Sequence, residues 1–149
     1  MNELRSEIKA FVEQRRSLCL ASVDAAGHPH ASVTPFVLLD GCLYIYISGL
    51  ARHTDNMQSN PIVSVMFVED ESQTKQMFAR RRLTYTATVG RVERETDDWH
   101  RVMAAFNEQF GEVIGVIRTL PDFVLLRLTP GKGNFVKGFG NAHEVEWIA

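Results

Sequence analysis

The first 48 residues contain three apolar stretches joined by two short turn sequences, and this arrangement constrains the fold more than any other feature. Residues 17–23 (SLCLASV) lead into the turn DAAGHP, and residues 30–39 lead into Asp40-Gly41 and then CLYIYIS. An Asp-Gly pair between apolar stretches is a strong hairpin signal. Consecutive hairpins therefore predict an antiparallel meander at the start of the chain.

The rest of the sequence adds further strands and two main helices. Apolar residues spaced three and four apart predict an amphipathic helix in residues 1–16 and a helical segment in 96–118, which Gly111 and Gly115 break or bend. DESQTKQMFARR is predicted to be a loop or a short helix. The predicted later strands are PIVSVMFVE, RLTYTATVGRVER with Gly90 as a bulge, FVLLRLTP and GNFVKGF joined by a Pro-Gly turn, and HEVEWIA as an edge piece.

These elements predict a mainly β protein, a small barrel with helices packed outside it. The 149 residues fit one domain, with the main barrel strands in 17–94 and the C-terminal strands in 122–147. The net charge of -2 gives no indication of nucleic-acid or membrane binding. Cys19 and Cys42 lie in apolar runs and are predicted to be buried, reduced thiols. Without a secretory segment, we expect a cytoplasmic protein.

The polar piece after CLYIYIS is the first candidate site. Its spacing predicts a short helix over residues 51–59, with Ser48 or Gly49 just before the first turn. A helix N-terminus favours anions, yet Arg52 and His53 place basic side chains there. A phosphate-bearing ligand would use these cations, and a solvated turn with Arg52 paired to a carboxylate is the alternative.

A second basic cluster, Arg80-Arg81-Arg82, enters the next long strand. In a barrel, neighbouring strands would bring Arg82 and Thr84 to the same anion as Arg52. A charged strand end in solvent is the alternative. His28 and His30 lack an evident third ligand nearby, so we expect no metal site.

Two long segments resemble a known family. ASVDAAGHPHASVTPF and ISGLARHTDNMQSNPIVSVMFVEDE are similar to the pyridoxamine 5'-phosphate oxidase-like flavoproteins, which have the FMN-binding split-barrel fold. ARHTDN, SNPIVSVMFVEDE, KQMFARRRLT and FVKGFGNAHEV resemble more closely the heme-utilisation branch of the HugZ/HutZ type. The resemblance implies a six-stranded antiparallel split barrel with flanking helices. It also implies a homodimer whose cofactor lies in a cleft between two subunits.

By this resemblance, we expect an FMN-dependent oxidoreductase in which the flavin transfers a hydride or electrons. Arg52 and His53 match the family's Arg-Lys pair that holds the FMN phosphate, and Tyr46 matches an aromatic hydroxyl position. The expected cofactor-binding residues are Ser32, Thr34, Tyr46, Ser48, Arg52, His53, Asn56, Arg82 and Thr84.

The sequence also departs from the FMN pattern. His53 replaces a lysine, Ile47 replaces a hydroxyl-bearing residue, and ASVTPF lacks the family's basic residue. The first alternative is therefore a heme-binding or heme-degrading protein. In that branch the axial histidine lies beyond the GFGxAxxV stretch, and His143 is the nearest candidate ligand, with an unassigned surface histidine as the other interpretation. A binding dimer without cofactor is the second alternative.

Overall fold

The computed structural model describes residues 2–148, which form one large sheet with four α-helices around it. The helices are α1 (Asn2–Glu13), α2 (Arg52–Ser59), α3 (Asp97–Phe110) and α4 (Val113–Ile117). The strands are β1 (Ser17–Val23), β2 (Pro29–Pro35), β3 (Val37–Leu39), β4 (Cys42–Ser48), β5 (Ile62–Val68), β6 (Arg82–Val92), β7 (Phe123–Gly138) and β8 (Asn141–Glu146). Two 3₁₀ turns, Glu71–Gln73 and Met77–Ala79, occupy the segment predicted to be a loop or short helix.

All strand pairs are antiparallel, in the order β2-β1-β5-β6-β7-β4-β3, with β8 added beside β7. β2 and β3 lie at opposite ends of this path, although only Phe36 separates them along the chain. The sheet must therefore curl until its two ends approach each other at this residue. The predicted fold class, an antiparallel split barrel with flanking helices, is confirmed, and the sheet is not closed.

The strand count is eight rather than the predicted six. The predicted strand at residues 30–39 is split, because β2 pairs with β1 whereas β3 pairs with β4. The two predicted C-terminal strands are instead one strand, β7, which runs through Pro130 and Gly131. These residues lie at a bulge where the register shifts between Tyr85 and Ala87. A bulge tolerates the missing proline N–H, so no turn is needed there. The bulge was predicted at Gly90, which instead pairs regularly with Arg127.

Local signals explain the bounds of the long helix. The Thr96 hydroxyl accepts a hydrogen bond from the Trp99 amide at 3.2 Å and caps α3. The helix ends at Gly111, whose φ of 78° is readily adopted only by glycine. The predicted break at Gly111 is confirmed. Gly115 lies inside α4 and does not break it.

The inward side of the sheet forms the barrel core, and α1 and α2 pack against it. Phe11 of α1 contacts Phe135 with ring centroids 5.6 Å apart, and Met57 of α2 joins the same buried cluster. α1 packs near the β7–β8 end, whereas α2 leads directly into Ile62, at the start of β5. These two helices cover different ends of the barrel.

A second apolar cluster forms on the outward side of β3, β4 and β7, which we call the covered face. Its members from the sheet include Val37, Tyr44, Tyr46 and Leu125, and they pack beneath the α3 helix. Cys42 packs against this cluster, and Cys19 lies on β1, far from it in the strand order. Both cysteines are half-buried free thiols rather than fully buried ones. Within residues 2–148, no helix has the length and apolar character needed to span a membrane.

Candidate functional site

The loop before α2 is held tightly against the segment that precedes β7. The Gly49 amide donates to the Asp122 carbonyl at 2.6 Å, and the Ser48 hydroxyl donates to the Asp122 carboxylate at 3.2 Å. A Cβ at position 49 would lie 2.5 Å from the Asp122 carbonyl oxygen, so only glycine fits. The Ser48 Oγ also accepts from the Leu50 amide at 3.1 Å. Ser48 therefore holds the loop that leads into α2 in one conformation.

α2 begins one residue later than predicted, at Arg52, with Ala51 at the N-cap position and no side-chain cap. Thr54 is buried and donates to the Ser48 carbonyl at 2.6 Å. Arg52 is exposed and makes no ion pair within the described part of the chain. The alternative in which Arg52 pairs with a carboxylate is thus not observed, and its guanidinium is available to a ligand.

The inward positions of β2 and β1 meet the polar side of α2. The His53 Nδ1 lies 2.9 Å from the Ser32 hydroxyl, and the Asn56 amide donates to the buried Ser22 hydroxyl at 3.0 Å. His30 lies opposite Ser22 in the β1–β2 register. The structure therefore brings three of the predicted residues, Ser32, His53 and Asn56, into one polar cluster, which we call the α2 cluster.

Burial lowers the pKa of His53 below its ordinary value of 6.5, and the positive charge of nearby His30 lowers this pKa further. His53 is therefore a neutral imidazole at neutral pH. A neutral ring provides a hydrogen bond to a phosphate but not a compensating charge. The expected Arg-His phosphate clamp consequently contains one cation, Arg52, rather than two.

Two other predicted residues direct their hydroxyl groups into the protein. Tyr46 lies on the covered face, where its hydroxyl donates to the Ile117 carbonyl at 3.2 Å and accepts from Arg94 at 3.1 Å. Thr34 is buried and donates to the Pro35 carbonyl at 3.2 Å. Successive side chains of β4 point to opposite sides of the sheet, so Tyr46 cannot share a pocket with the α2 cluster.

Arg82 and Thr84 lie near the other end of the barrel. In the β5–β6 register, Arg82 is opposite Val68, whereas α2 leads into Ile62, opposite Thr88. Six residues of strand separate these levels, roughly 20 Å at the usual rise per residue. Within one chain, the expected convergence of Arg82 with Arg52 on one anion is therefore not observed. Arg82 donates to the Arg80 carbonyl at 2.7 Å.

His143 is also far from the α2 cluster. It lies on β8 opposite Phe135, near the barrel end that α1 covers. Its Nε2 donates to the Asn141 side-chain carbonyl at 2.6 Å. This contact engages one ring nitrogen of His143, Nε2, with a neighbour on the same strand.

A surface that was not predicted from the sequence is the outward side of β1, β2, β5 and the start of β6, which we call the open face. None of the outward residues of β1, β2 and β5 is charged. Antiparallel sheets with one solvated side normally alternate apolar and charged or polar residues. Val33 is 65% exposed and Ile62 is 54% exposed. The sequence did contain a signal for this surface: in these strands the residues that point away from the core are also small or apolar. The outward residues are Ser17, Cys19, Ala21, Val23, Pro29, Ala31, Val33, Pro35, Ile62, Ser64, Met66 and Val68.

Arg82 and Thr84 continue this open face on β6, since Thr84 pairs with Met66, which pairs with Cys19. The other arginines of the basic cluster are engaged with Glu69. Arg81 pairs with its carboxylate at 3.0 Å, and Arg80 donates to its carbonyl at 2.6 Å.

Comparison with known proteins places this architecture in a family. The model of the pyridoxamine 5'-phosphate oxidase family matches residues 4–137. The chain belongs to this family. A heme oxygenase, HutZ of Vibrio cholerae, is 48% identical over 142 residues, which are 95% of this chain and 81% of HutZ.

Solved structures of relatives support the same family assignment. A crystal structure of Vibrio cholerae HutZ, described as a heme storage protein, has a TM-score of 0.84 at 48% identity, and the match covers 91% of this chain and 95% of the crystallised chain. Campylobacter jejuni ChuZ has a TM-score of 0.92 at 36% identity, covering 98% of this chain and 60% of ChuZ. The resemblance to the HutZ-type branch of the pyridoxamine 5'-phosphate oxidase family is confirmed.

Proposed function

We propose that this protein binds heme, as a member of the HutZ-type branch. The observation that carries the proposal is the 48% identity to HutZ, which extends over 95% of the chain. The open face adds physical support. Heme is a flat, mostly apolar ring with two carboxylates at one edge, and it suits a flat, uncharged surface with arginine at its margin. Arg82 provides such a cation beside Val68.

An FMN-dependent oxidoreductase, our first expectation from the sequence, has less support. The expected phosphate site required Arg52, His53 and Arg82 together. His53 is uncharged at neutral pH, so the expected phosphate clamp lacks one of its cations. The relative HutZ is named for heme rather than for a flavin.

We include a homodimer in the proposal, with the open faces of two copies packed together. Four strands of about seven residues make a face roughly 20 Å in each direction, which is larger than a porphyrin ring. Val33 and Ile62, both more than half exposed, are apolar residues that such contact would bury. A cytoplasmic location belongs to the same proposal, because both cysteines are free thiols.

The dimer would also reunite the two groups of predicted site residues. If the two-fold axis lies between the two faces and is perpendicular to the strands, the strands of the two copies run in opposite directions. Each end of one open face then lies against the other end of its partner's open face. The α2 end of one copy would then face the Arg82 end of the other. In this arrangement the exposed Arg52 lines one side of a shared cleft. Ser32, His53 and Asn56 stay on the inward side of the sheet, and Ser48 is bonded to Asp122. Arg82 and Thr84 line the other side, while Tyr46, Thr34 and His143 take no part.

Each group has a definite task in this cleft. The guanidinium groups of Arg52 and Arg82 bind carboxylates, and uncharged side chains such as Met66 exclude water from the ring. The imidazole of His53 is held by Ser32 at 2.9 Å and is neutral, so it fixes the first turn of α2, which carries Arg52. Bound heme itself would supply the iron on which an oxygenase depends.

Titration with hemin, followed by absorbance, tests the proposal. We expect a saturable Soret band with a defined number of hemes per subunit, and no quenching of FMN fluorescence in a parallel titration. With oxygen and a reductant, we expect the Soret band of the complex to fade, as the name of the relative HutZ suggests. Quenching of FMN without any Soret band would contradict the proposal and restore the flavoprotein hypothesis.

A further inference from the structure

A cleft of about 250 Å³ lies where the end of α1 meets the open face. The chain leaves α1 through Gln14, Arg15 and Arg16 and enters β1 at Ser17. Cys19, Met66 and Val68, all outward residues of the open face, form the opposite wall. The cleft therefore has arginines on one side and an uncharged sheet surface on the other. Val68 also pairs with Arg82, which places a third arginine beside it.

Arg15 is held in place but is incompletely bonded. Its Nη1 donates to the Val68 carbonyl at 3.1 Å, and its guanidinium lies 4.9 Å from the centre of the Phe11 ring. Its Nε is buried and has no hydrogen-bond partner within residues 2–148. A buried charged donor without an acceptor is costly, so an acceptor at this site would be bound favourably.

Arg16 is exposed, and its guanidinium lies 5.6 Å from the centre of the Phe110 ring. Neither Arg15 nor Arg16 pairs with a carboxylate in the described residues. Asp70 also lines the cleft and is its one acidic wall residue. Two arginines against one aspartate leave a positive balance that favours an anion.

We propose that the Arg15–Arg16 cleft binds a carboxylate of a porphyrin whose ring lies against Cys19 and Met66. This inference rests on the proposed heme-binding function and specifies where the acidic edge of the ligand lies. The exposed Arg16 guanidinium faces the propionate, and Arg15, half-buried in the cleft wall, adds a second positive charge. The two sulfur-bearing side chains contact the ring, since sulfur is polarizable and packs well on aromatic surfaces. No covalent step is involved.

Paired titrations with hemin and hemin dimethyl ester test this assignment, because the ester retains the ring and iron but lacks the carboxylates. We expect the wild-type protein to bind hemin about tenfold or more tightly than the ester. In Arg16→Gln this preference should fall several-fold. Arg15→Gln removes the second positive charge of the cleft, and it should also reduce the preference. Arg5→Gln removes an exposed arginine of α1 that does not line the cleft, and it should leave the preference unchanged.

Thermal melting of each variant confirms that it is folded. If Arg16→Gln and Arg15→Gln are folded and keep the full preference for hemin over the ester, the inference is wrong while heme binding stands. If the wild-type protein binds neither porphyrin, the proposed function fails, and the carboxylate assignment fails with it. Equal binding of hemin and its ester by the wild type would also overturn the assignment.

Discussion

The outward surface of the sheet differs between its two halves. The covered face carries large side chains such as Tyr44 and Tyr46, and α3 buries them with Trp99 and Phe106. On β1, β2 and β5 the open face carries small or apolar side chains without charge, and Val33 on it is 65% exposed. A sheet surface without charge is normally covered. The comparison indicates that the open face is completed by something outside the chain, for which we propose a second copy and heme.

Truncation of Trp99, an α3 residue that packs on the covered face, should have the largest effect on stability. Trp99 is 2% exposed, and the guanidinium groups of Arg94 and Arg118 lie 5.2 and 5.4 Å from its ring centre. We expect Trp99→Ala to lower the free energy of unfolding by about 3–5 kcal/mol, through lost burial and the cavity left behind. Urea denaturation measures this. Ile62→Ala on the open face should cost less than half as much, and equal losses would remove the distinction between the faces.

A charge placed on the open face should dissociate the proposed dimer. Val33 and Val116 are both 65% exposed, so Val33→Lys and Val116→Lys form a matched pair. An unpaired ammonium in an interface should weaken dimerisation about a hundredfold for Val33→Lys, whereas Val116→Lys on α4 should leave it unchanged. Sedimentation velocity gives the populations. A monomeric wild-type protein, or a Val33→Lys variant that stays dimeric, would exclude this face as the interface.

The conformation of the loop that leads into α2 depends on its contact with the segment that precedes β7. A methyl group at Gly49 would meet the Asp122 carbonyl oxygen at 2.5 Å and disturb the hydrogen bond to it. We expect Gly49→Ala to cost about 1–3 kcal/mol of stability. Gly115→Ala is the control, because no atom lies within 4 Å of its added methyl group and alanine favours helix. The two substitutions should shift the melting temperature in opposite directions, and shifts of the same sign would contradict this account.

The smallest effect concerns His53. Its folded pKa lies below the unfolded value of 6.5, so the unfolded state binds more protons in this range. The stability contribution of the neutral ring is therefore present above pH 6.5 and is lost as the pH falls below that value. Stability should decline more in the wild type than in His53→Gln on acidification. NMR titration should also show that His30→Gln raises the pKa of His53, and an unchanged pKa would contradict the coupling.

The sequence was sufficient to predict the fold class because turns and periodicity are local. Asp40-Gly41, the Thr96 helix cap and the Gly111 stop each act within a few residues. The split at Phe36 and the unbroken β7 were not predictable in this way. Whether residues near Pro130 form a turn or a bulge depends on their partner strand, which is distant in the sequence.

The candidate site was also predicted only in part, because some of its contacts depend on strand register between distant parts of the sequence. The contact between α2 and β2 was expected from the resemblance, and the structure brings His53 and Ser32 together. The position of Arg82 depends on strand register over the length of the barrel, which spacing alone does not specify. The open face was visible as strands with two apolar or small sides. Its meaning required knowing that α3 covers the other half of the sheet and not this one.

The most direct test of the central claim, that the open face forms the heme site, is a hemin titration of the wild type, Val33→Lys and Val116→Lys side by side. The account predicts a saturable Soret band in the wild type and in Val116→Lys, and at least tenfold weaker binding in Val33→Lys. Equal hemin affinity in all three proteins would contradict it and move the search for a ligand away from the open face.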